Sequence, residues 1–147
     1  MEKTIFGQKC IIYNKTDRTL LLLKRSNYKD DAHKWDLVGG SVNFGEDSKI
    51  SIKREAKEET GMILNDIKII DLHSRKLNDG NFFIFALYYC DNFTYLNDNL
   101  ELSHEHQQFQ WVNIDVFQTI DLRSSVDFVR DIIVSFIKTE LKYGELM

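Results

Sequence analysis

Nine consecutive residues, Phe82 to Cys90 (FFIFALYYC), carry only apolar or aromatic side chains. A run of that length with no polar alternation reads as a strand buried on both faces. Such a strand needs one layer above it and another below, and two stretches elsewhere supply them. Ser48 to Thr60 has the length of a helix, and Gly61 stands where a left-handed C-terminal cap ends one. Ser124 opens a second helix, with Asp127 at capping-box spacing. In it Val126, Val129, Ile132, Ile133, Phe136, Ile137 and Leu141 recur every three or four residues, making one apolar stripe that packs on a sheet. The fold class expected is α/β, a three-layer α/β/α sandwich around a mixed β-sheet.

Further strands follow from periodicity and turn residues. Residues 3–13 and 19–24 form a hairpin around the polar turn 14–18, and residues 26–34 are a polar loop. Residues 35–38 make a short strand running into Gly39 and Gly40, while residues 67–72 and 108–112 add two more. With 147 residues, 43% of them hydrophobic, there is material for one sizeable core and too little for two ordinary domains, so residues 1–147 read as a single domain.

The formal charge of -4 lacks the basic footprint that a general nucleic-acid binder needs, so no stable nucleic-acid partner is expected. An acidic chain that handles phosphates requires a cation. The two cysteines, Cys10 and Cys90, are far apart and have no CxxC or histidine partner that would suggest zinc. They read as small buried hydrophobes in a reducing compartment. No signal-peptide core and no membrane-length apolar window occurs, which makes the cytoplasm the expected location and excludes a membrane partner. A homodimer is compatible with all of this.

One stretch carries chemistry. Gly40 is followed after five residues by Glu46, and after seven more by Arg54, Glu55, Ala56, Lys57, Glu58, Glu59, Thr60 and Gly61. On a helix Glu55, Glu58 and Glu59 stand at i, i+3 and i+4, so three carboxylates project from one face. Like charges at that spacing want a compensating cation. Mg2+ suits them, because it takes hard oxygen ligands, keeps several waters and is shared with substrate phosphates; Mn2+ is the alternative. A solvated helix face is the bland reading of SIKREAKEE. Seven fixed residues at roughly 7% usage each would need about 10^8 windows to match by chance, which decides against it.

This stretch resembles the Nudix box, the signature of the Nudix hydrolase family, at every fixed position. Residues 20–25 resemble the family's strand ending in arginine, Trp35, Asp36, Leu37, Val38, Gly39 and Gly40 its approach to the box, and Glu105, His106 and Trp111 its EH...W segment. Val38 departs from the proline of many members, and Ala56 from a larger aliphatic residue. The resemblance implies Mg2+-dependent hydrolysis of a phosphoanhydride bond in a nucleoside diphosphate linked to another group, with a small nucleotide as partner. It makes Glu58 and Glu59 direct metal ligands and adds the Gly40 carbonyl. Glu55 is either a further ligand or the base that orients the water, and Glu105 is an additional carboxylate serving the metals or the water. Arg54 and Glu46 brace the loop and helix through an ion pair, and Gly61 closes the helix.

Arg25 is weighed evenly between contacting a substrate phosphate and being plain surface. His33, His104 and His106 are read as solvated rather than catalytic, and Trp35, Phe109 and Trp111 as core rather than base-stacking residues. A (d)NTP or related nucleotide is the expected substrate. ADP-ribose, nucleotide sugars and dinucleoside polyphosphates share the same diphosphate, and the absence of proline counts against the ADP-ribose and NADH subgroups. A ligand-binding module that has lost catalysis is the competing class, but all four box acids are present.

Overall fold

In chain order the strands are β1 Thr4–Asn14, β2 Thr19–Arg25, β3 Trp35–Asp36, β4 Val38–Ser41, β5 Met62–Asn65, β6 Lys68–Lys76, β7 Phe82–Cys90, β8 Asn92–Tyr95 and β9 His106–Val112. The helices are α1 Ser48–Thr60, α2 Ile114–Phe117, α3 Ser124–Asp127 and α4 Arg130–Leu146. This computed structural model describes residues 2–146, and side chains through residue 139. The chain divides into two compact units, Met1–Ile12 with Val38–Ser103, and Tyr13–Leu37 with His104–Met147.

In the first unit, β7 is an inner strand. It pairs parallel with β1, from Thr4 opposite Phe82 to Ile12 opposite Cys90, and antiparallel with β6. β4 lies antiparallel on the other side of β1, with Gln8 opposite Gly40 and Lys9 opposite Gly39. Parallel and antiparallel pairs therefore share one mixed sheet, as expected for this α/β class. An inner strand has neighbours on both edges and a layer on each face, which is why β7 can be apolar throughout. Burial is complete only from Phe85 to Cys90; Phe82 is 42% exposed and the next two residues are half-buried. Cys10 and Cys90 are both buried free thiols, and burial pushes the Cys10 thiol well up.

Helix α1 begins and ends where its local chemistry dictates. The Asp47 side chain accepts hydrogen bonds from the Lys49 and Ile50 N–H groups at 2.9 and 3.1 Å, satisfying two donors that no earlier turn can reach. Gly61 stops the helix at φ 72°, its N–H donating to the Lys57 carbonyl. Ile52 and Ala56 are fully buried on one side. After Gly61 the chain enters β5, which pairs with β8 as a separate two-stranded ribbon.

The second unit is organised around β2, whose four leucines, Leu20 to Leu23, are at most 1% exposed. The expected hairpin is present, with Tyr13 opposite Leu20 and Asn14 opposite Thr19. β3 and β9 flank β2, both antiparallel. The last helix departs from expectation. It breaks after Asp127, and the residue at its N-cap is Arg123, which makes no side-chain cap hydrogen bond. Asp127 instead accepts from Arg130 at 2.9 Å, so no capping box forms. Val126, Val129, Ile133 and Ile137 are buried as the stripe requires, whereas Ile132 is 40% exposed and Phe136 half-buried, because helical spacing puts these two at the edge of the stripe. Leu141 lies outside the described side chains. Among the described residues no helix is long and apolar enough to cross a membrane.

The Asp47 cap sets the start of the box helix, so Asp47→Ala is expected to lower unfolding free energy by about 1 kcal/mol. Urea titration checks this, and an unchanged midpoint would mean that the loop before α1 is held without the cap.

Candidate active site

The box begins at two glycines of β4 that stand against close neighbours. Gly39 has φ 145°, and a Cβ there would collide with the Gln8 carbonyl oxygen and approach the Lys9 Cα to 2.9 Å. Gly40 faces the helix: a Cβ on it would stand 2.9 Å from Glu55 Oε1 and 3.1 Å from its carboxyl carbon. The missing methyl group is therefore the space the Glu55 carboxylate occupies beside the Gly40 backbone. Beyond Ser41 the chain rounds Gly45 at φ 83°, and the Asn43 N–H reaches Glu46 Oε1 at 3.4 Å.

Arg54 gathers the acids of the helix and loop. Its Nε and Nη2 donate to the two Glu46 oxygens at 2.7 and 3.1 Å, the forked geometry that matches a planar guanidinium to a carboxylate. Its Nη2 also reaches Glu55 Oε1 at 3.3 Å, and its Nη1 reaches Glu58 Oε2 at 2.9 Å. The Arg54 hydrogen bonds hold the Glu46 carboxyl down at about 2, against an ordinary 4.5, with the Asn43 N–H helping. The same bond raises the Arg54 guanidinium above its ordinary range. The bracing pair expected of Arg54 and Glu46 is thus present, with Arg54 extended over two further acids.

Glu59 turns away from this group. It is 3% exposed, and its Oε2 accepts the N–H of Gly39, twenty residues earlier, at 3.1 Å, tying the helix to β4. Among the described residues no three His, Cys, Asp or Glu side chains are already gathered as a metal cage. The donor set nevertheless fits Mg2+. Glu55 and Glu58 are carboxylates one helical turn apart, the Glu55 carboxylate packs on the Gly40 backbone, and all the atoms concerned are hard oxygens.

The remaining candidates lie in the second unit. Arg25 is buried: its Nε donates to the Asp30 carbonyl at 2.7 Å and its Nη1 contacts Asp36 Oδ2 at 3.4 Å. Arg123 contacts the same oxygen at 3.3 Å, and the other Asp36 oxygen accepts the Leu37 N–H at 2.8 Å. The Arg25 guanidinium thus braces the 26–34 loop and the fully buried Asp36. Glu105 is 41% exposed at its side chain and lies 3.8 Å from the Lys29 ammonium, while its carbonyl accepts the Ser26 N–H. His33 contacts the Gln107 amide at 3.2 Å and His104 stacks on Tyr28, whereas His106 is buried rather than solvated. Trp35 carries Lys24 over its ring, and Phe109 is 42% exposed rather than core. Sequence reasoning missed the structural weight of Asp36, Arg123, Gln8 and Lys9. For Gln8, Lys9 and Asp36 the available signal was a charged or amide side chain within or beside an apolar strand segment; Arg123, at the N-cap of α3, gave none.

Comparison with known proteins gives a consistent result. The NUDIX domain model matches residues 6–131, and the chain belongs to the NUDIX family. It is 30% identical over 122 residues to putative nudix hydrolase 1 of Caenorhabditis elegans, covering 82% of this chain and 32% of that protein. It is 30% identical over 101 residues to the asymmetrical bis(5'-nucleosyl)-tetraphosphatase of Mus musculus, covering 65% of this chain and 64% of that one. The chain thus spans about a third of the worm relative's length and just under two thirds of the mouse relative's. The crystal structure of a MutT protein from Methanosarcina mazei Go1 superposes with a TM-score of 0.72 at 29% identity, over 96% of this chain and 97% of that one. The expected Nudix-type α/β/α fold with a mixed sheet is therefore the one found.

Because the Glu46 carboxyl is lowered from 4.5 to about 2 in the folded chain, its contribution to stability is full above pH 4.5 and is lost as the pH falls towards 2. Melting temperatures measured between pH 6 and pH 2 should fall less steeply in Glu46→Gln than in the parent chain. Parallel acid limbs would show that the Arg54–Glu46 pair is not formed in solution.

Proposed function

We propose that this chain is a Mg2+-dependent hydrolase that cleaves a phosphoanhydride bond in a nucleoside diphosphate linked to another group, with a (d)NTP or related nucleotide as its substrate. The observation that carries this reading is the arrangement around Arg54, which holds Glu46, Glu55 and Glu58 together while Gly40 leaves room for the Glu55 carboxylate. A spread-out charge run on a solvated helix would have no reason to keep a glycine beneath one acid and a bidentate arginine beneath another. We read residues 1–147 as one such domain, supported by a family match that draws on both compact units.

Glu58, Glu55 and the Gly40 carbonyl would hold Mg2+ (or Mn2+), with Glu59 adding a further oxygen from its place against Gly39. When bound, the ion neutralises phosphate oxygens and makes its water a stronger acid. Arg54 keeps the Glu55 and Glu58 carboxylates at fixed positions, so that little reorganisation is needed when substrate arrives. Glu55 is either a ligand or the group that takes the proton from the attacking water. Glu105 is the second candidate for that proton, with Lys29 as its competing partner. Arg25 would reach a phosphate only by leaving Asp36 and the Asp30 carbonyl.

The second substrate reading is a dinucleoside polyphosphate, favoured by the likeness to the mouse tetraphosphatase. We place the chain in the cytoplasm with a small nucleotide as its partner, and its formal charge of -4 supports this over a nucleic-acid partner.

The test is a panel of (d)NTPs, nucleotide sugars, ADP-ribose and dinucleoside polyphosphates with and without Mg2+, read by released phosphate, pyrophosphate and nucleoside monophosphate. Mg2+-dependent turnover of one class is expected, falling at least about a hundredfold in Glu58→Gln. Equal turnover in the folded variant would remove the box acids from the chemistry. Glu105→Gln is expected to lower kcat more than it raises KM, with Glu101→Gln as control. Wild-type kinetics at every Mg2+ concentration would take Glu105 out of the site.

A further inference from the structure

Strand β1 places a lysine where a charge is costly. Lys9 is 6% exposed, in a strand whose next four residues are buried and apolar or aromatic. Lysine is almost never buried without a partner. One partner is the Gly39 carbonyl, which accepts from the Lys9 ammonium at 3.4 Å; Lys9 and Gly39 stand directly opposite each other in the β1–β4 register. The other end of Gly39 is held as well, its N–H donating to Glu59 Oε2 at 3.1 Å. Its Cα has no freedom either, since the Gln8 carbonyl oxygen and the Lys9 Cα lie against it.

The neighbouring residue does the same work further along. Gln8 is fully buried, and its amide donates to the carbonyl of Ser48, the first residue of α1, at 3.0 Å. Two consecutive residues of β1 therefore fasten both ends of the segment from Gly39 to Ser48, the loop that carries Glu46 and leads into the box helix.

We infer that Lys9 is a positioning residue of the box: its buried ammonium fixes the Gly39 carbonyl and so the Gly39–Gly40 peptide, which flanks both the Gly39 N–H that Glu59 accepts and the Gly40 carbonyl. Lys9 acts without touching metal or substrate, as outer partners of metal ligands do when they set the direction of a donor. This rests on the proposed hydrolase reading for the identity of the ligands, and on the hydrogen bonds above for the geometry. A structural cation with no link to the site would cost stability when removed and leave the site's affinities unchanged.

The experiment compares Lys9→Met and Lys9→Arg with the parent chain by two readouts. One is Mn2+ affinity without nucleotide, followed by the electron paramagnetic resonance signal of free Mn2+; the other is steady-state kinetics on whichever nucleotide the parent turns over. Lys9→Met is expected to weaken Mn2+ binding about tenfold or more and to lower kcat by a similar factor with KM little changed, and Lys9→Arg to restore most of both. Lys9→Leu, which likewise offers no donor to the Gly39 carbonyl, replaces Lys9→Met if that variant fails to fold. Unchanged Mn2+ affinity and kcat in a folded variant without a donor at position 9 overturn the inference. A parent chain that turns over no nucleotide yet binds Mn2+ in a Lys9-dependent way would sink the hydrolase reading and leave the role of Lys9 standing.

Discussion

A single guanidinium governs the box. Arg54 donates to Glu46, Glu55 and Glu58 at distances between 2.7 and 3.3 Å, so one cation faces three carboxylates from a helix and the loop before it. Like charges one helical turn apart repel, and a chain that keeps them together needs a partner that reaches all of them. Lysine, a compact point charge, would satisfy one acid; the planar fork of arginine reaches several at once. Three carboxylates against one guanidinium leave an excess of negative charge, the property on which the proposed Mg2+ site draws.

The loop and strand around this centre are shaped by close approach. Gly39 packs against the backbone of β1 and Gly40 against the Glu55 carboxylate, so a methyl group at either position displaces a part of the site. Glu59 and Lys9 hold the two ends of the Gly39 residue, and Gln8 holds the start of α1. Preorganisation of this kind moves the entropic cost of arranging donors from the moment of binding to the moment of folding.

Much of the arrangement could be read from the chain itself, where its causes are local. The bounds of α1 follow from Ser48 to Thr60 with Gly61 behind them, because helix ends are set by residues within one turn. Strand β7 was legible because an inner strand has no polar face to interrupt its apolar run. The four-residue strands β5 and β8 and the single turn of α2 are too short to show a period, and they form through pairing or packing that only the folded chain supplies. Contacts between distant residues were invisible for the same reason. Nothing near Arg25 announces that its charge is taken up by Asp36, which Arg123, 87 residues further on, also contacts. Glu59 could be counted among the box acids from spacing alone, but its bond to the Gly39 N–H belongs to the fold.

The central claim, that Arg54 and the acids act as one unit, is tested most directly by a double-mutant cycle. Arg54→Met, Glu46→Gln and the double variant would be compared with the parent chain by unfolding midpoint in denaturant and by kcat/KM on a turned-over nucleotide. If the unit is real, each single change already breaks it, and the double variant loses clearly less than the sum of the two single losses in both measurements. Losses that simply add in stability and in kcat/KM would show that the two side chains act independently, and would contradict the account.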